Sequence, residues 1–297
     1  MRFALYPGCT VLGRARNYEM AVRAVAPVLG IELLDVERFE CCGFPIKSVS
    51  HEAFLMAAAS NILAAEMQDV DICTLCSACT GSLVEVNKYL SENFNEKARV
   101  VATLRKHGFE FRMGRTVKVK HFVRILHRDV GVEKIGEHIK RKLSGLRLAA
   151  HYGCHYLRPA DIYDDPEDPE NPFSLDELIR VTGAQTVDYG EKLKCCGAGL
   201  LAIDENLAYS VARPKLKELS NKGIDAMVLM CPFCSVMYDD NQRKIEKKFE
   251  EEYNLPVLYY PQLLGLALGI DERALGLKMN RVPTKELLGR LAGSGVS

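Results

Sequence analysis

Apolar residues follow two alternating rhythms along the chain. Short apolar runs, "RFALY" at 2–6, "IELLDV" at 31–36 and "DVDICTL" at 69–75, predict strands. Between them, "NYEMAVRAVAPVLG" at 17–30 and "EAFLMAAASNILAAEM" at 52–67 carry apolar residues at helical spacing. The second half gives the same order with "LRLAA" at 146–150, "SLDELIRVTG" at 174–183, "LAYSVARPKLKELSNKG" at 207–223 and "DAMVLM" at 225–230. Each half closes on a strand running into a helix, "VKVKHFVRIL" at 117–126 and "LPVLYYPQLL" at 255–264. Strands alternating with helices predict an α/β fold, with parallel sheets flanked by helices and any ligand site beyond the carboxyl ends of the strands.

The cysteines show that the two halves are copies of one unit. Cys9 and Cys154 lie 145 residues apart, Cys41 and Cys195 lie 154 apart, as do Cys42 and Cys196, and Cys76 and Cys231 lie 155 apart, as do Cys79 and Cys234. The surrounding words agree: "YPGC" with "HYGC", "CCGFP" with "CCGAG", "LCSAC" with "MCPFC". The jump in offset falls where the second half carries the acidic, proline-rich "YDDPEDPENPF" at 163–173, read as a loop insertion. Only Cys73 is left over, its place being taken by Val228. The expected architecture is two pseudo-twofold-related repeats, 1–145 and 146–297, joined near Gly145, with metal-binding loops at the strand ends.

Composition narrows the chemistry. Thirty-nine basic residues balance thirty-nine acidic ones, so no overall charge points to nucleic acid or an anionic membrane. No apolar run approaches the ~20 residues of a membrane span, the longest, at 255–270, being interrupted by two prolines and a glutamine. The start "MRFALYPGCT" has no signal-peptide pattern, and a cytoplasmic location is expected. Eleven cysteines in such a compartment point to metal or redox chemistry rather than disulfide staples.

Several readings of those thiols compete. A disulfide between adjacent cysteines closes a strained ring, and burial as simple structural residues does not explain the doubled spacing. "CPFC" at 231–234 alone suits a thioredoxin-like dithiol, which leaves Cys154, Cys195 and Cys196 without a role. Five thiols per half exceed the four of tetrahedral zinc or of an ordinary cubane cluster. "CTLCSAC" opens like a ferredoxin run, but Leu83 stands where the next cysteine belongs. Soft thiolates in this number, two of them adjacent, suit an iron–sulfur cluster of irregular shape. Gly43 and Gly197 after each pair can then take positive φ, curling the loop so that backbone N–H groups face the anionic centre. Lys47, Lys192, Lys194 and Arg14 are candidates to offset its charge.

A cysteine, then CCG, then CxxC, given twice, resembles the CCG-domain family of cysteine-rich proteins, and a stand-alone chain of this length is similar to its heterodisulfide-reductase members from methanogenic archaea. The resemblance implies one noncubane 4Fe-4S cluster on Cys9, Cys41, Cys42, Cys76 and Cys79, and a second on Cys154, Cys195, Cys196, Cys231 and Cys234. It implies reduction of the mixed disulfide of coenzyme M and coenzyme B to two thiols. Electrons would come from a small ferredoxin-like subunit of the same complex, itself fed by a flavin-containing subunit. Two clusters facing one S–S bond would each take one sulfur, so that no thiyl radical escapes. Related members serve as iron–sulfur subunits of dehydrogenases or of thiol:fumarate reductase, and a pure electron relay is a further alternative. Both coenzymes are anionic, making Arg158, Lys47 and Arg14 candidates to hold them. His155, next to Cys154, is a candidate for the cluster surroundings or an ordinary loop residue, and His51 reads as a capping or surface residue at a helix start.

Overall fold

The computed structural model describes residues 1–109 and 117–293. Its strands form two four-stranded sheets, each wholly parallel. The first contains β1 (Arg2–Tyr6), β2 (Glu32–Leu34), β3 (Asp71–Thr74) and β4 (Val119–His121), in the order β2-β1-β3-β4. The second contains β5 (Arg147–His151), β6 (Gln185–Thr186), β7 (Ala226–Leu229) and β8 (Val257–Tyr259), in the matching order β6-β5-β7-β8. Central strands are buried almost throughout, with Ala4, Ile72, Ala149 and Val228 fully enclosed. A strand with both faces covered reads as a continuous apolar run, and these do.

Local signals repeat with the register. The helix His51–Met67 is capped by Ser50, whose Oγ accepts from the Ala53 amide at 3.2 Å. Its counterpart Glu205–Asn221 is capped by Asp204, accepting from Leu207 N at 3.0 Å. Such a cap satisfies one of the free amides of the first turn and contributes about 1 kcal/mol. The 163–173 insertion is largely irregular, but its Glu167 is buried and accepts from the Ser174 amide and hydroxyl, both at 2.6 Å, capping the helix Ser174–Val181. β6, only two residues long, has no counterpart among the strands read from the apolar runs.

The two halves interlock. The helix Arg16–Val25 buries Tyr18, Ala21, Val22 and Val25, one helical stripe, and packs on the helix Tyr260–Ala267 of the second half. Tyr18 stacks on Tyr259 with ring centres 4.1 Å apart, and its hydroxyl donates to the Met230 carbonyl at 2.9 Å. Reciprocally, the helix Ser77–Glu92 of the first half packs on Cys154–Leu157 of the second.

Candidate metal centre

In each sheet the chain leaves the central strand toward one neighbour and then returns to pair on its other side. Crevices form at such switch points, beyond the carboxyl ends of the strands. The carboxyl ends of β1 and β3, and those of β5 and β7, lie at such switch points, and the cysteines follow directly. Cys9 and Cys154 open short helices, while Cys76 and Cys231 occupy the caps of the helices Ser77–Glu92 and Pro232–Ser235. The vicinal pairs arrive on the loops that follow β2 and β6.

The thiols act on one another in succession. In the first half the protonation of Cys42 is tied to Cys79, and that of Cys79 to Cys76. In the second half Cys154 is tied in the same way to Cys195, Cys195 to Cys196, Cys196 to Cys234 and Cys234 to Cys231. Cys76 and Cys231, one from each half, lie near enough to act on each other. Exposure repeats too: Cys41 and Cys195 are exposed, whereas Cys42, Cys76, Cys79, Cys196, Cys231 and Cys234 are buried. Cys9 is exposed and meets Thr10 Oγ1 at 4.0 Å, near enough to Cys41 for its charge to act there.

Gly43 and Gly197 take φ of +82° and +77°. This turns the loop amides toward the sulfurs, where those of Gly43 and Phe44 favour the charged forms of Cys41 and Cys42, and those of Gly197 and Ala198 the charged forms of Cys195 and Cys196. The Gly197 amide lies 3.3 Å from Cys195 Sγ. The amide of Cys79 likewise favours the charged form of Cys76, and those of Cys234 and Phe233 the charged form of Cys231. A Cβ on Gly43 would meet the Phe54 carbonyl oxygen at 3.1 Å, and one on Gly197 the Ala208 oxygen at 2.7 Å.

Protonation shows what this arrangement requires. The hydrogen bond from Cys79 holds Cys42 down at about 7, and bonds from Cys154 and Cys196 hold Cys195 far below an ordinary thiol. Their neighbours move the other way: hydrogen bonding with Cys195 pushes Cys154 up and Cys196 up to about 12. Adjacent thiols therefore share protons, because like charges in contact cannot all ionise. A polycationic iron–sulfur core would remove that conflict, and it is the chemistry of the donors, soft thiolates with two of them vicinal in each half, that suits such a core rather than a ready-made set of ligand positions. Among the described residues, no group of three or more His, Cys, Asp or Glu side chains is arranged to hold a metal ion.

The other candidates are distributed unevenly. Arg158, Lys192 and Lys194 line one cleft beside the second vicinal pair. Within it Arg158 reaches Glu170 and the Pro169 carbonyl, and Lys192 pairs with Asp176 at 2.9 Å. Lys47 is exposed and paired with Glu85, and Arg14 is exposed at the end of the helix Cys9–Arg14. His155 is half-buried against the first half, its ring edge-on to Phe44 at 4.9 Å, and burial lowers its pKa. His51 is on the surface beside Tyr89, and the cap at that helix is Ser50. Cys73 is enclosed within β3, where burial pushes its thiol up.

Four participants escaped the sequence reading. Gly8 and Gly153 precede the first cysteine of each set. A Cβ on Gly8 would sit 2.9 Å from Cys79 Sγ, and one on Gly153 would sit 2.3 Å from Ser77 Oγ and 3.2 Å from Cys231 Cβ. Their shared position in "YPGC" and "HYGC" was the available signal. His151 and Lys215 form a buried pair beneath the second vicinal loop, with Lys215 Nζ 3.2 Å from His151 Nδ1.

Comparison with known proteins follows the same division. The family model for the cysteine-rich domain, CCG, matches residues 3–84 and again 148–239. The chain is 36% identical over 296 residues to the B subunit of the ferredoxin:CoB-CoM heterodisulfide reductase of Methanosarcina mazei, covering 98% of this chain and 97% of that one. It is 31% identical to the 8-methylmenaquinol:fumarate reductase membrane anchor subunit of Wolinella succinogenes, covering 96% and 98%. Among the described residues, no helix is long and apolar enough to cross a membrane. A crystal structure of a hypothetical protein from Helicobacter pylori shares the fold with a TM-score of 0.75 at 16% identity, over 95% of this chain and 52% of that one.

Proposed function

The chain belongs to the cysteine-rich CCG-domain family, and from that premise we propose that it is the disulfide-reducing component of a multi-subunit iron–sulfur reductase, acting on the coenzyme M–coenzyme B heterodisulfide. Each repeat, with its boundary near Gly145, would hold one noncubane 4Fe-4S cluster. The observation that carries the reading is that the two cysteine sets meet, with Cys76 of one half and Cys231 of the other near enough to act on each other's protonation.

The reaction takes two electrons and two protons: the S–S bond breaks, and each sulfur leaves as a thiol. Iron–sulfur clusters supply electrons singly, together with iron sites that accept sulfur ligands. The chain's part is to bring two such sites to one place. β3 and β7 deliver Cys76 and Cys231 to the shared boundary, while the exposed Cys41 and Cys195 mark where each set meets solvent. The Arg158–Lys192–Lys194 cleft adjoins Cys195, and an anionic coenzyme entering it would have to displace Glu170 from Arg158 or Asp176 from Lys192, or take Lys194. Electrons would arrive from a ferredoxin-like subunit served by a flavin-containing one, a reading supported by the name of the Methanosarcina mazei relative, a ferredoxin:CoB-CoM heterodisulfide reductase subunit.

Adding coenzyme M thiol, coenzyme B thiol and the mixed disulfide separately to the anaerobic protein during a redox titration tests this. Thiol-dependent paramagnetic signals are expected. Intact clusters that respond to none of the three favour the second reading, an electron-transferring component of a fumarate-type reductase, for which the Wolinella relative speaks.

A further inference from the structure

The repeat register places Lys215 154 residues after Asn61, so the two occupy corresponding positions on corresponding helices. Their surroundings differ in charge. Asn61 is fully buried and neutral, donating to the Cys41 carbonyl at 3.2 Å and accepting from the Glu40 amide at 2.7 Å. Lys215 is 1% exposed, and its Nζ donates to the carbonyls of Lys192 at 3.2 Å and Lys194 at 2.9 Å, and to His151 Nδ1. His151 stands where the first half has Tyr6, and burial keeps its imidazole neutral.

A lysine this deeply buried is exceptional in a folded protein. Burial draws its ammonium down to about 8, and any charge that develops on Cys234, Cys196 or Cys154 would draw it back up. Among the described residues, no carboxylate is one of its hydrogen-bond partners. The first-half candidate Lys47 faces solvent with Glu85 beside it, where water and its partner screen the charge.

We infer that Lys215 is a positioning residue that makes the two sites unequal, its enclosed charge stabilising the reduced state of the second-half site so that an electron rests there rather than on the first. The inference builds on the two-cluster reading. It gives the duplicated fold a direction: electrons run from the Cys41–Cys42 half to the Cys195–Cys196 half, and the second half is filled first.

The test begins with iron and acid-labile sulfide in the anaerobic protein. A protein without clusters overturns both readings, whereas clusters present with the contrary potentials overturn this one alone. Cys196→Ala and Cys42→Ala leave the first-half and second-half sites, respectively, to be titrated alone by paramagnetic resonance. The second-half couple is expected at the more positive potential. In Lys215→Gln, which retains a donor without the charge, that couple should move negative by at least a tenfold change in its one-electron equilibrium, about 59 mV. Lys215→Arg should restore it. Equal or reversed potentials in the single-site proteins overturn the inference, as do Gln and Arg variants that shift alike. Should Lys215→Gln fail to retain its cluster, the single-site comparison decides.

Discussion

Cys73 and Cys76 are three residues apart, and replacing each by serine should have opposite consequences. Cys73 is fully buried in β3, in register with Leu5 and Lys120. A serine hydroxyl there has no partner among the paired thiols, and an unsatisfied buried hydroxyl costs about 1–3 kcal/mol. Against a typical stability of about 5–15 kcal/mol the variant still folds. Its iron should be unchanged, because the first cluster is assigned to Cys76 and Cys79. Cys76 caps the helix Ser77–Glu92 without a side-chain capping bond. Serine is among the preferred cap residues, so Cys76→Ser should leave helix stability level or raise it by up to ~1 kcal/mol. What it removes is the thiol that lies near both Cys79 and Cys231 and acts on each. Denaturant titration of the iron-free proteins reads the stabilities, and iron analysis of the anaerobic proteins reads the clusters. Cys73→Ser should lose stability and keep iron, while Cys76→Ser should keep stability and lose iron. Equal iron loss in both would refute the assignment and move the ligand frame to "CTLC".

Three further outcomes follow from the geometry. Gly8→Ala and Gly153→Ala should each lower iron content, since the added methyl meets Cys79 Sγ or Ser77 Oγ, while Gly145→Ala, with φ +88° and open space, should cost only about 1 kcal/mol of backbone strain in a melting experiment and leave iron intact. Tyr18→Phe keeps the stack on Tyr259 but leaves the Met230 carbonyl without that donor, a loss of about 1–3 kcal/mol measurable by denaturant unfolding. Cys42→Ala and Cys196→Ala should each abolish heterodisulfide reduction while circular dichroism stays native, because one S–S bond needs both sites; substantial activity in either would contradict the shared reaction.

The parts legible in the sequence are those fixed locally. Thiol spacing, apolar runs and the glycines after each vicinal pair are properties of short segments, and they carry the strands β1, β3, β5 and β7 and the crevices at their ends. The caps at Ser50 and Asp204 obey the same 154-residue register. What stays hidden depends on tertiary contact. β6 is too short to leave an apolar rhythm. Gly8 and Gly153 are required by sulfur and hydroxyl groups distant in sequence. The Cys76–Cys231 junction lies between halves and has no spacing to betray it. Lys215 sits in "RPKLKELSNK", where lysine ordinarily faces water, and only the fold shows that it lies beneath the second vicinal loop.

The most direct measurement is elemental. Protein isolated and kept without oxygen is assayed for iron, zinc and acid-labile sulfide per chain. Two clusters of four irons predict about eight irons, a matching amount of sulfide and little zinc. Two zincs per chain with no sulfide would contradict the account, because ten paired thiols would then be two closed metal sites with no electrons to give a disulfide.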